Sequence, residues 1–169
     1  MKLHWLAAAL AVSGCGGSND NPTESADQTT TDVQVAAAEV PKACDVLTQA
    51  DAAKALDHEV KQLPNDGGPA NLNICQYGYE GERIMDSGNA SVVVEPVDIG
   101  TLRTSVTGQG YTTEPVAELG DGAFWSKEVG LYVGKGNRTA HYLIAVGGEN
   151  EAQGKTRAIE LAKATVGRL

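Results

Sequence analysis

The alternation of apolar and polar positions divides the chain into three stretches. Leu3 to Val12 is apolar except at His4 and Trp5. It is well short of the roughly 20 residues needed to cross a bilayer. Gly16 to Pro41 is small and polar, with Gly16-Gly17-Ser18-Asn19-Asp20-Asn21-Pro22 followed by Thr29-Thr30-Thr31. It offers too little apolar surface to offset the entropy of ordering a chain. Only Val33 to Val40 is richer in apolar residues, and it reads as a short helix or strand. From Lys42 onward apolar residues recur at the spacings of regular elements.

The first of these elements is a helix opening at Leu47-Thr48-Gln49-Ala50-Asp51. The Thr48 hydroxyl suits the free N–H of the third helical residue, and Asp51 suits the positive helix end. Ala52, Ala53 and Leu56 form its buried stripe, and Asp57-His58 ends it. Glu59 to Leu63 reads as a strand stopped by the turn cluster Pro64 to Pro69. Asn71 to Tyr79 alternates, placing Cys75, Tyr77 and Tyr79 on one face and Ile74 and Gln76 on the other. Gly81 and Asp86-Ser87-Gly88-Asn89 mark turns before the β-branched strand Ala90 to Glu95, which stops at Pro96.

Asp98 caps a short helix with Ile99, Leu102 and Val106 at helical spacing, closed by Gly108 and Gly110. Tyr111 to Thr113 reads as a strand and Glu114 to Asp121 as an irregular crossing. Two strands follow, Ala123 to Lys127 and Gly130 to Gly134, then a hairpin turn at Lys135-Gly136-Asn137. Arg138 to Val146 is the longest strand, with Ala140, Tyr142, Ile144 and Val146 sharing a face. Asn150 and Gln153 form a capping box for a last helix with the stripe Ala158, Ile159, Ala162, Val166 and Leu169.

Strand runs joined by tight turns pair antiparallel. The expected fold is therefore a single α+β domain, an antiparallel sheet covered on one face by about three helices and preceded by a flexible N-terminal tether. Strands then a helix occur at about 59–107 and again at about 111–168. The lengths correspond but the residues do not, so a duplication is left open.

Composition narrows the function classes. The chain has 169 residues, one ordinary domain, and its 41% of hydrophobic residues suffice for a core. A formal net charge of -9 argues against nucleic acid, whose phosphates need stripes of Lys and Arg. It also disfavours electrostatic attachment to an anionic membrane. An acidic surface suits solubility or a cationic partner.

The three cysteines are Cys15, Cys44 and Cys75. Leu10-Ala11-Val12-Ser13-Gly14-Cys15 resembles the lipobox of bacterial lipoproteins: an aliphatic residue, two small residues, then the cysteine that is acylated and becomes the new N-terminus. The competing reading is an ordinary secretory signal with a chance cysteine; the low-complexity stretch after Cys15 favours lipidation. Residues 1–14 are then a signal peptide, 15–41 a lipidated cysteine and linker, and 42–169 the domain. A flexible linker of this length spans on the order of 30 Å. Lipidation at Cys15 leaves Cys44 and Cys75 as one pair, exported to where a disulfide persists.

A second resemblance lies in the domain. Ala43-Cys44-Asp45-Val46-Leu47-Thr48, Cys75-Gln76-Tyr77 and Val116-Ala117-Glu118-Leu119-Gly120-Asp121-Gly122-Ala123-Phe124-Trp125 resemble small bacterial envelope lipoproteins grouped as domain of unknown function 3558. Asp57 stands where such sequences often place the helix-ending Gly, and Glu118 where Gly is usual before Leu119. The resemblance implies a disulfide, a fold and an extracytoplasmic, lipid-anchored location, and no reaction.

Candidate chemistry is sparse. His4 falls in the signal, and His58 and His141 make no metal-spaced pair by local sequence; surface or strand packing accounts for both. No G-x-S-x-G elbow or H-E-x-x-H is present. Gly120-Asp121-Gly122 reads as a turn that presents one carboxylate. No catalytic residue, metal site or cofactor is expected. Phe124 and Trp125 alternate to opposite faces, so one of the two should be buried and the other more exposed. Trp125, Tyr132, Tyr142 and Asp121 are the candidate binding surface, because aromatics anchor interfaces; core packing is the competing reading.

The expected function is a non-catalytic binding or sensing domain held on the extracytoplasmic side of a membrane by acylated Cys15, with an envelope protein or small ligand as partner. The alternatives are an inhibitor-like lipoprotein docking on a cationic envelope enzyme such as a lysozyme, and an envelope hydrolase.

Overall fold

A computed structural model describes residues 39–65 and 72–169. The signal stretch, Cys15, most of the tether and the centre of the Pro64–Pro69 turn cluster lie outside the described residues.

The described chain forms one antiparallel sheet of seven strands with four helices, an α+β fold. In chain order the elements are α1 (Ala43–Val46), α2 (Gln49–Leu56), β1 (Lys61–Gln62), β2 (Ile74–Tyr79), β3 (Gly88–Glu95), α3 (Ile99–Gly108), β4 (Glu114–Val116), β5 (Gly122–Ser126), β6 (Gly130–Lys135), β7 (Arg138–Val146) and α4 (Glu151–Thr165). Short 3₁₀ turns at Ile84–Asp86 and Val166–Arg168 complete it. The sheet order is β1-β2-β3-β7-β6-β5-β4.

The helix starts follow the sequence. Thr48 Oγ1 accepts the Asp51 N–H while Asp51 accepts the Thr48 N–H, a reciprocal capping box. Asp98 accepts the Thr101 N–H at 2.9 Å. Asn150 and Gln153 close the same reciprocal arrangement on α4. The far end of α4 is held by cations: Lys135 donates to the carbonyls of Val166 and Gly167, and Arg138 to that of Leu169. Positive charge there complements the negative helix end.

The main core lies on one face of the sheet. Cys75 and Tyr77 from β2, Ala90, Val92 and Val94 from β3, Leu131 and Val133 from β6, and Ala140 and Tyr142 from β7 point into it. Three helices, α1, α2 and α4, cover this face with Val46, Leu56, Leu161 and Ala162. Cys44 of α1 is joined to Cys75 of β2 by a disulfide closing 31 residues. Asn73 reinforces that junction, accepting the Ala43 N–H at 2.8 Å and donating to the Pro41 carbonyl at 2.7 Å.

The fourth helix, α3, lies on the other face over β5 and β6. Val106, Leu102 and Ile99 pack there on Phe124 and Tyr132. Two strand glycines make the seat. A Cβ at Gly134 would stand 2.6 Å from Ile99 Cβ, and one at Gly122 would touch Ile99 Cγ2. The helix rests on bare backbone at these positions.

Two sequence expectations are corrected, and the open question of a duplication is addressed. Tyr111 to Thr113 is not a strand; pairing begins at Glu114 and makes β4, where Pro115 sits on a sheet edge that needs no N–H from it. Phe124 and Trp125 do alternate between faces, but both are buried, at 1% and 9% exposure, because α3 closes the face that would otherwise be open. The strands-then-helix echo is not a symmetric repeat. A two-fold relating antiparallel neighbours β3 and β7 keeps helices on one face, whereas α3 and α4 lie on opposite faces.

Candidate functional site

The sequence-predicted surface does not assemble. Trp125 and Tyr142 point into the main core, Tyr142 with no exposed surface, while Tyr132 lies on the opposite face at 8% exposure. Asp121 is exposed at a sheet end, where its carboxylate accepts the Gly136 N–H at 2.6 Å and fixes the β6–β7 hairpin. Burial also pushes the Tyr142 hydroxyl up to about 12, opposed by its bond to Thr165. Trp125, Tyr142 and Asp121 are thus accounted for by packing and turn geometry. Cys15 lies outside the described residues. His58 stacks on Tyr79 at 4.0 Å, a packing role.

The second face holds a different arrangement. Strand register aligns Ile74, Val93, His141, Tyr132 and Phe124 in one row across β2, β3, β7, β6 and β5. Three of these are stacked rings. Phe124 and Tyr132 lie 4.8 Å apart, and Tyr132 and His141 lie 4.1 Å apart and nearly parallel. Helix α3 covers the Phe124 end of the ladder and stops short of His141. Beyond it, over β7, β3 and β2, no described helix covers the face. Ile74 and Val93 are half-buried there, and Leu143 is 38% exposed. In the neighbouring row Leu143 stands opposite the buried Ser91, with Gln76 beyond it.

His141 marks the boundary. Its Nε2 donates to the Val129 carbonyl, which places the ring proton on that nitrogen. Burial holds its pKa below the ordinary histidine value, and the Val129 bond partly opposes this. The ring is therefore neutral at pH 7 and acts as an aromatic plate. The Tyr132 hydroxyl is raised first by burial and then by the nearby Glu95 carboxylate and Tyr111 hydroxyl. Glu95 belongs to the row Glu95, Thr139, Gly134 and Gly122, beside the ring ladder.

The sequence carried part of this. Odd positions of β7, namely Thr139, His141, Leu143 and Ala145, stand opposite the core face by alternation alone. Which stretch of that face a helix would leave bare depends on where α3 lands, and no local pattern states it.

Elsewhere, a groove of about 400 Å³ runs between α2 and α4. Lys54 and Lys163 on its rim are matched by Asp51 and Glu160, and Asp51 is already paired with Arg168. Among the described residues no three His, Cys, Asp or Glu side chains group as metal ligands. No described helix is long and apolar enough to cross a membrane.

No family model matches the chain, and neither a curated protein nor a solved structure does.

Proposed function

We propose that the chain is an envelope lipoprotein of the type resembling domain of unknown function 3558, anchored through acylated Cys15. Its domain is a non-catalytic module that binds a partner protein through the uncovered part of the second sheet face. The observation that carries the binding surface is the exposed Leu143 beside the half-buried Val93 and Ile74, on a stretch of sheet that no described helix covers. A large apolar side chain exposed on a sheet face that no described helix covers supports an interaction site there.

The lipid anchor rests on the sequence Leu10 to Cys15, and the Cys44–Cys75 disulfide suits an oxidising compartment.

Two substitutions test the two halves separately. Cys15→Ser is expected to move the protein from the membrane to the soluble fraction with the domain still folded. Retention of that variant in the membrane after signal cleavage contradicts the anchor. Val93→Glu is expected to abolish partner association, with folding of the variant checked by its melting temperature because Val93 is half-buried. Unchanged association contradicts the surface.

A further inference from the structure

We infer that Met85 is a modification site, oxidised to the sulfoxide by a hydroperoxide, and that the sulfoxide weakens binding at the uncovered sheet face. The second half of the inference rests on the binding-surface reading above; the first half does not.

Reactive sulfur is scarce in this chain. Its two methionines are Met1 and Met85. Met85 is 60% exposed, more than Leu72 or Leu143. Cys44 and Cys75 are bonded to each other. Among the described residues Met85 is therefore the one sulfur outside a disulfide.

Strand register puts Met85 at one end of the uncovered face. Gly147 donates its N–H to the Ser87 carbonyl at 2.9 Å, which carries the β3–β7 ladder one pair past Gly88 and Val146. Gly147 is then the next odd position after Leu143 and Ala145, and a Cβ there would project from the second face. That Cβ would stand 2.4 Å from the Met85 carbonyl oxygen. The turn Ile84–Asp86 thus rests on bare backbone, in line with the exposed Leu143 and Ala145. A thioether in that place extends the apolar surface, and its unbranched chain adapts to what it meets.

The side chain belongs to neither core cluster. The turn is held instead by the Asp86 N–H on the Arg83 carbonyl and by the two bonds from Arg83 to the Asp86 carboxylate. Oxidation therefore alters the surface and leaves the fold. A lone pair of the Met85 sulfur attacks one oxygen of hydrogen peroxide. An S–O bond forms as the O–O bond breaks. The departing hydroxide takes the proton from the sulfur-bound oxygen and leaves as water. Sulfur gives up two electrons and the peroxide gains them. The product is a polar sulfoxide. It stays hydrated in the free protein and must be desolvated against an apolar partner.

Two measurements test the two halves. The purified whole chain is treated with hydrogen peroxide beside free methionine and mapped by peptide mass. The expected result is one added oxygen on Met85 with an unchanged melting temperature. An unmodified Met85 after the free methionine has reacted overturns the site, and a lowered melting temperature overturns its surface role. Next, cells carrying benzoylphenylalanine at Leu143 are illuminated with and without peroxide. The protein adduct should fall about tenfold on peroxide treatment. Met85→Leu should keep the adduct under peroxide, and Met85→Gln should give the low level without it. Equal loss in the native chain and Met85→Leu, no loss in either, or a full adduct from Met85→Gln overturns the effect on binding while the binding surface stands. Absence of any adduct in untreated cells overturns the binding surface and the effect together, and the mass map still decides the modification.

Discussion

The hydroxyl of Tyr142 lies 2.7 Å from Thr165 Oγ1, and neither residue has any exposed surface. Thr165 has one hydroxyl proton, and it goes to the Leu161 carbonyl at 2.9 Å. Tyr142 is therefore the donor to Thr165, and the pair ties the central strand β7 to the last turn of α4. Removing the donor leaves Thr165 with a bond, whereas removing the acceptor strands a buried phenol.

The two deletions are thus unequal. Tyr142→Phe should cost about 1 kcal/mol and Thr165→Val about 2 kcal/mol, read from denaturant midpoints. A pH consequence follows with a definite sign. The folded hydroxyl titrates at about 12 and the unfolded one near 10, so the unfolded state loses its proton first. Stability is full below pH 10 and falls as pH rises from 10 toward 12. Tyr142→Phe should flatten that decline, and an identical decline in the variant would refute the linkage.

Asp57 and Glu118 are the two described residues other than glycine with positive φ, at 55° and 58°. These are the positions where the resembled lipoproteins favour Gly. A side chain in the left-handed region costs on the order of 1 kcal/mol, less for Asp, which bonds locally. Glu118→Gly should raise stability by about 0.5 to 1 kcal/mol, and Asp57→Gly by less, because Gly also loosens the unfolded chain. A lower melting temperature for Glu118→Gly would show that its exposed side chain makes a contribution the backbone geometry does not reveal.

Gly134 sets the position of α3. An added methyl would stand 2.6 Å from Ile99 Cβ, so Gly134→Ala must lift the helix or bend the strand. A loss of about 2 kcal/mol is expected, with faster amide exchange confined to Ile99–Gly108. The control is Gly136→Ala. Gly136 has a positive φ but open space around it, so that variant should be strained without displacing α3.

These positions show what the sequence states and what it withholds. Alternation along Arg138 to Val146 separates Tyr142 from His141, and the caps at Thr48, Asp98 and Asn150 lie where short polar side chains precede helical spacing. Strand pairing follows from the tight turns. The landing place of α3 does not, since it depends on Gly122 and Gly134 meeting across two strands to admit Ile99. For that reason the sequence leaves open which of Phe124 and Trp125 is exposed, whereas α3 buries Phe124 and the main core buries Trp125, while Leu143 reads as an ordinary strand residue and stands exposed. Helix α1 is too short for periodicity to reveal it.

The Cys44–Cys75 bridge closes 31 residues, worth about 3.5 kcal/mol on the chain-entropy estimate. Reduction should lower the melting temperature by several degrees without unfolding the domain at once, because Asn73 still holds Ala43 and Pro41. Asn73→Ala under reducing conditions should release α1, detected as exchange of the Cys44 to Leu47 amides. An unchanged melting temperature on reduction would mean that the unfolded chain is already compact across this loop.

The most direct test of the binding surface is site-specific photo-crosslinking in intact cells. A benzoylphenylalanine placed at Leu143 samples the uncovered sheet face, and one at Lys163 samples the α2–α4 groove. The expected result is a single adduct of discrete mass from position 143, lost when Val93→Glu is added, and none from position 163. An adduct from position 163 alone, or one from position 143 that survives Val93→Glu, would contradict the assignment of function to this face.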